Sequence, residues 1–295
     1  MTVQVLGDAV TVRFFMPSAE LSPYISTYYL TEVSSAGDLV IEDWLHPEWA
    51  NLRIFNGNLC EAAIGPDPIR AARETIVTGP TSCAAHFRLG PTRVWGIGIL
   101  PKGWARFTEM SAANMADRFC HPDDEPALGH FADLRALVFS GPADPAEEAR
   151  RIDAYFRGLL TTRPPHEDEH RIRAAHGALM ESEIGSVSEL SEQLGISSRS
   201  LERLSLRAFG FSPKLLLRRQ RFLRSLAQFM LDPSLSWIKT LDWQYVDQAH
   251  FVRDFKRFMG MSPSRYAALE HPVLRAAARA RAAAAGEAVQ ALHRP

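Results

Sequence analysis

Apolar and polar residues change their rhythm along this chain. Up to Leu100 the apolar residues fall in short β-branched and aromatic runs bounded by Gly, Pro or Asn, which predicts strands over Asp38–Leu45, Asn51–Phe55, Glu74–Thr78, Cys83–Leu89 and Arg93–Leu100. An amphipathic piece, Leu21–Tyr29, interrupts them. From Pro101 apolar residues recur three and four apart, predicting helices over Pro101–Phe107, Asn114–Phe119, Ala127–Val138 and Pro145–Leu160. Asp144 is placed to cap the last of these and Pro145 suits its first turn. The stretch TTRPPHEDE (Thr161–Glu169) is polar and broken by a Pro pair, as a linker is.

Residues 170–269 read as helices with ordered punctuation. Ser186 precedes Val187–Leu194 and Gly195 follows. Ser197 or Ser198 caps a helix that runs to Phe209, and Gly210 stops it. Ser212-Pro213 opens a long helix that ends before Asp232-Pro233. Asp247 caps Gln248–Met259, Gly260 ends it, and Ser262-Pro263 opens another. The tail 271–295 is Ala-rich with scattered Arg. It favours helix but has a poor apolar face, so it is expected to be a loosely docked helix or a frayed end.

Within this helical half the sequence repeats at an offset of 50. Leu201 matches Phe251, Arg203 matches Arg253, Arg207 matches Arg257, Gly210 matches Gly260, and Ser212-Pro213 matches Ser262-Pro263. Two such copies predict two related supersecondary units, each shaped as a helix-turn-helix. In the first, Val187–Leu194 and Arg199–Phe209 flank the turn at Gly195-Ile196, with Leu201, Leu204 and Ala208 inward and Arg199, Arg203 and Arg207 on one outward stripe. In the second, Leu235–Trp243 and Asp247–Met259 flank Gln244–Val246. Phe251, Phe255 and Phe258 point inward, and Gln248, Val252, Arg253 and Lys256 outward. An Arg- and Gln-bearing helix face fits the major groove of B-DNA, where Arg pairs with guanine and Gln with adenine.

Charge sharpens this picture. The 295 residues carry 33 basic and 34 acidic side chains, a net charge of -1 that suggests no polyanionic partner. The halves differ, however. Residues 1–170 hold 14 basic and 23 acidic residues (net -9), residues 171–270 hold 15 and 10 (net +5), and residues 271–295 hold 4 and 1 (net +3). Such asymmetry marks a basic binding module. Three cysteines, Cys60, Cys83 and Cys120, form no CxxC pair. They fit reduced thiols in a cytoplasmic protein. No leader peptide and no membrane-spanning run is legible.

Residues 171–270 resemble the DNA-binding domain of AraC/XylS-family transcription regulators, through LGISSRSLERLSLRAFGFSP (Leu194–Pro213) and DQAHFVRDFKRFMGMSPSRY (Asp247–Tyr266). The resemblance implies a seven-helix domain with two helix-turn-helix units joined by a central helix. It implies base-reading roles for Arg199, Glu202 and Arg203 in the first unit and for Gln248, Ala249, Val252 and Arg253 in the second, with phosphate contacts at Arg207, Arg218, Lys256 and Arg257. Three positions depart from the family pattern. Ser191 and Thr240 stand where a small residue, usually Ala, is common, and Gln244 stands at the turn Gly of the second unit, where a left-handed backbone would strain it. Residues 1–160 resemble the cupin-like amino-terminal domains attached to such regulators, through Phe14–Glu32, Thr78–Pro80 and Arg93–Phe107.

The expected fold class is therefore α+β: a small cupin-like β-barrel with helices (1–160), a linker (161–170), an all-α domain with two helix-turn-helix units (171–270) and a tail (271–295). The implied partners are double-stranded promoter DNA, a small-molecule effector, RNA polymerase and a second copy of the chain. No cofactor is expected. Cupin barrels also occur in metalloenzymes, so the alternative is a small-molecule-binding or enzymatic cupin with a degenerate helical appendage. His46, His86, His121 and His130 form no HxH pair, however. Glu42 and Asp43 are neighbours on a strand and face opposite sides, which bars a paired acid and base. Trp44, Arg53, Phe55, Arg88 and Trp95 are the candidates for an effector pocket, with ordinary core packing as the competing reading of the aromatics.

Overall fold

The computed structural model describes residues 9–34, 40–58, 60–181, 183–231 and 240–285. Among them, strands form two antiparallel sheets. The larger runs β1 (Val10–Phe15), β2 (Ile25–Val33), β9 (Thr92–Ile99), β4 (Ala50–Gly57), β7 (Thr75–Thr78), β10 (Phe119–Cys120). The smaller runs β3 (Ile41–Leu45), β8 (Ala85–Leu89), β5 (Glu61–Ile64), β6 (Arg70–Ala71). The larger sheet is covered on both faces. Leu52, Ile54, Trp95, Ile97 and Ile99 pack against Trp104 of α1 (Pro101–Phe107), Leu134 of α2 (Leu134–Val138) and Phe156 of α3 (Pro145–Thr162). On the other face Phe55, Ile76 and Val94 meet Ala62, Phe87 and Leu89 of the smaller sheet. Burial on both faces removes the alternation that marks a half-exposed strand, which is why Leu21–Tyr29 does not read as the approach to β2.

The predicted strands at Asn51, Glu74, Cys83 and Arg93 are present within two residues at their starts, and α1 has the predicted bounds. Asn114–Phe119 is not a helix. Asp117 adopts φ +53°, and its carboxylate accepts the Ser82 amide (2.5 Å) and hydroxyl (2.7 Å), which bends the chain into β10. Ala127–Val138 splits into a 3-10 turn over Pro126–Phe131 and the short α2.

The helical half follows its punctuation closely. α4 (Glu169–Met180), α5 (Val187–Gln193), α6 (Ser198–Phe209), α7 (Pro213–Leu231), α8 (Gln248–Met259) and α9 (Pro263–Ala267) appear in order. Residues 232–239, with most of the expected Leu235–Trp243 helix, lie outside the described residues. The caps are those expected. The Ser186 hydroxyl accepts the Glu189 amide, Ser197 that of Ser200 and Asp247 that of His250. Gly210 and Gly260 end their helices at φ +83° and +70°, a conformation that suits Gly.

The tail is neither loose nor frayed as far as Ala285. α10 (Pro272–Ala285) packs on β1 and β3, the facing edge strands of the two sheets. Val273 and Ala276 are buried in the same cluster as Val10, Val12 and Ile41. Asp43, wholly buried, accepts the Val273 and Leu274 amides (2.9 and 3.0 Å) and pairs with His271 Nδ1 (3.0 Å), fixing the start of the helix. An acidic group there satisfies orphan amides and complements the helix dipole. The face judged poor in isolation is sufficient because Ala lets the helix lie close to the strands.

Candidate nucleic-acid interface

α6 is oriented by Leu201, Leu204, Ala208 and Phe209, all buried. Its opposite side leaves Arg199, Glu202, Arg203 and Arg207 exposed, with Leu206 between them. α8 is oriented by Phe251, Phe255, Phe258 and Met259. Gln248, Ala249, Arg253, Lys256 and Arg257 are exposed on its outer side and Val252 is half-buried. The structure thus gathers the predicted base-reading and phosphate-contacting residues, all but Arg218, onto two capped helices. Both stripes are strongly basic, and both present side chains long enough to reach base edges.

Arg218 is placed differently. It lies on α7, and its Nε donates to Asp254 Oδ1 of α8 (2.5 Å). Asp254 is fully buried. Its second oxygen accepts Arg221 (3.2 Å) and the Tyr245 hydroxyl (3.1 Å). Arg224 likewise binds Asp242, which also accepts the Gln244 amide (3.0 Å). The basic run of α7 therefore braces the second unit. Sequence offered one signal of this: Asp254 falls between Phe251 and Phe255, in the buried phase of α8. Gln244 does not adopt a left-handed backbone, so the strain considered for that turn is absent. Thr240 and Ser191 are both buried.

Arg219, next in the chain, is buried without a carboxylate partner. It donates to the carbonyls of Thr81 (2.8 Å) and Glu48 (3.3 Å) and stacks on Trp49 (3.9 Å), all in the amino-terminal half. Burial lowers its pKa to about 9. Trp49 also meets Phe209 and His176 edge-on, at 5.6 and 5.3 Å. The Ala84 amide donates to the Phe258 carbonyl (2.6 Å), and His46 Nε2 lies 2.7 Å from the Tyr266 hydroxyl. The first helix-turn-helix unit and the α8–α9 part of the second thus rest against the amino-terminal half.

The proposed pocket residues do not share one pocket. A cavity of about 80 Å³ lies between the sheets, lined by Arg53 and Phe55 together with Tyr29, Phe87 and Val94. Trp95 is excluded by register: it pairs opposite Ile54, so it points to the helices while Phe55 points to the cavity. Its indole donates to buried Glu148 (2.7 Å), which also takes a two-pronged bond from Arg93 (2.9 Å each). Trp44 and Arg88 lie on the outer face of the smaller sheet, where Trp44 stacks on His86 (4.5 Å) and Arg88 reaches Glu42 (3.4 Å). Arg53 is held by Glu48 (2.5 Å) and Thr78 (3.3 Å). Burial opposes its charge, yet Glu48 and Tyr29 leave its pKa raised. The histidines weighed as metal ligands are dispersed: His46 on Tyr266, His86 on Glu42, His121 capping the turn at Pro122, and His130 beside Arg163.

Two capped helices with exposed basic stripes, repeated on one scaffold, define a DNA-binding helix-turn-helix protein. Residues 190–268 match the family model of the helix-turn-helix domain, and that domain is of the AraC type. No curated protein matches the chain. Among solved structures, ToxT from Vibrio cholerae is similar at 10% identity, with 79% of this chain and 98% of that chain covered and a TM-score of 0.42. Unsaturated fatty acid-bound ToxT is similar at 13% identity, covering 79% and 97%, TM-score 0.41. The AraC-like transcriptional activator CuxR follows at 14% identity, covering 75% and 88%, TM-score 0.27. No helix among the described residues is long and apolar enough to cross a membrane.

Proposed function

We propose that the chain is a sequence-specific DNA-binding transcription regulator, a reader rather than an enzyme, whose amino-terminal half senses a small molecule or a partner. The carrying observation is the pair of outward stripes, exposed Arg199, Glu202 and Arg203 on α6 and exposed Gln248, Ala249 and Arg253 with half-buried Val252 on α8. On this reading the two helices enter successive major grooves, ~34 Å apart on one face of a duplex. Arg207, Lys256 and Arg257 bind phosphates. A second copy of the chain doubles the footprint, and the acidic amino-terminal surface stays off the DNA and is free for contacts with RNA polymerase. The protein works in the compartment that holds the DNA, the cytoplasm.

Selection from random-sequence duplexes, followed by titration of the selected site at several salt concentrations, tests this. Binding should weaken steeply with salt, and Lys256→Ala should lower the slope by about 1. Arg203→Ala or Arg253→Ala should cost ~1–3 kcal/mol at one base position and relax preference there. Unchanged preference in both variants would remove the recognition-helix assignment.

A further inference from the structure

The two sheets leave an opening between edge strands β1 and β3, and α10 fills it. Beside the inter-sheet cavity lies a second one of about 170 Å³, bounded by Phe14 and Tyr29 of the larger sheet, Glu48, Trp49 and Asn51, and one face of α10. The two cavities share Tyr29, Thr31, Leu45 and Val273, so they adjoin. The inner one is lined mainly by apolar side chains, with Arg53 at its wall already paired with Glu48. The outer one carries charge.

The charges at the outer cavity do not balance. Glu48 is neutralised by Arg53. His46 is held neutral, its pKa lowered by burial to about 4. Arg281, from the last turns of α10, lies over the Phe14 ring (4.7 Å). Among the described residues it has no hydrogen bond and no ion pair, and its Nε is buried without a partner. The side chain as a whole is half-buried, lining the outer cavity, and burial lowers its pKa to about 10. Every other arginine facing this end of the sheets is spoken for, by Glu48 for Arg53 and by the Thr81 and Glu48 carbonyls for Arg219.

We infer that Arg281 is the anion-reading residue of a ligand site closed by the chain's own carboxy-terminal helix, and that the site takes a small organic carboxylate or phosphate whose apolar part enters the inter-sheet cavity. The inference rests on the sensor reading of the amino-terminal half and adds its ligand class. An anion at Arg281 pairs with this free charge and draws α10 against β1 and β3. α10 follows directly on α9 through His271, which bonds the Tyr266 carbonyl (2.9 Å) and Asp43. The ligand thereby bears on the second helix-turn-helix unit without touching DNA.

The test uses the full chain and three probes: phenylacetate, phenyl phosphate and neutral 2-phenylethanol, followed by Trp fluorescence and thermal unfolding. At least one anion should bind and raise the melting temperature, with the neutral alcohol at least tenfold weaker. Arg281→Gln should weaken the anion by about tenfold or more, the effect of one charge-assisted hydrogen bond, and Arg281→Lys should restore part of it. Which anion wins identifies carboxylate or phosphate as the head group. Equal binding of the alcohol, or anion binding unmoved in Arg281→Gln, would overturn the assignment while leaving the sensor reading in place. Binding of none of the three overturns it too. DNA titration of Arg281→Gln separates the levels, because the variant keeps its DNA affinity if the helix-turn-helix reading is right.

Discussion

His176 shows how one buried side chain ties folding to pH. It is 3% exposed and packs edge-on against Trp49. Burial, aided by the charge of Arg219, lowers its pKa to about 4, against ~6.5 in an unfolded chain. Below pH ~6.5 the unfolded chain takes up a proton that the native state refuses. Stability should therefore decline as pH falls from about 6.5 to 4 and level off below that, by on the order of 2–3 kcal/mol from this residue. Denaturant unfolding at stepped pH values checks it, with His176→Gln expected to flatten part of the slope; an identical slope in the variant would exclude His176 as a source. The outward residues Arg199, Arg203 and Arg253 were legible from helical phase alone. His176 and Arg219 were not, since phase says that a residue is buried without saying what it meets.

Among the elements, α7 and α8 depend on one another through the Asp254 cluster. Arg218→Ala removes a partner from a wholly buried carboxylate. Arg221 and Tyr245 remain, so the expected loss is about 2 kcal/mol, below that for a fully orphaned charge. Lys256→Ala, on the exposed face of α8, should leave unfolding unchanged and weaken DNA alone. Comparing melting curves and DNA titrations of the two variants distinguishes a brace from a phosphate contact. Were Arg218→Ala to melt like the parent, the cluster would contribute little. The repeat made α6 and α8 legible as elements, because caps, Gly stops and inward aromatics are local signals. The bracing by Arg218 and Arg221 was not legible, because they stand 36 and 33 positions from Asp254.

For the whole molecule, the point of closure is Asp43. Replacing it by Ala removes the acceptor for two helix amides and the partner of His271, at a cost of about 1–2 kcal/mol for the cap alone. Hydrogen exchange should then speed up along α10 and at β1 and β3, with α6 unaffected; unchanged exchange along α10 would mean that Val273 and Ala276 hold the helix without the cap. The charge division also operates at this scale: an acidic half and a basic half cancel in the total and meet at Trp49, Ala84 and Tyr266, where the buried cation Arg219 is received by two carbonyls and an aromatic ring.

Sequence alone determined most of the described helical half of this protein, its caps and stops and the residues that α6 and α8 turn outward. These follow from periodicity and from backbone preferences that act within a few residues. The neighbours of Arg53, Trp95 and Arg219, and the place of α10, were decided only by tertiary structure. Strand register sets which side of a doubly covered sheet a residue faces, and the opening that α10 fills exists only once β1 and β3, thirty residues apart in the chain, become facing edges.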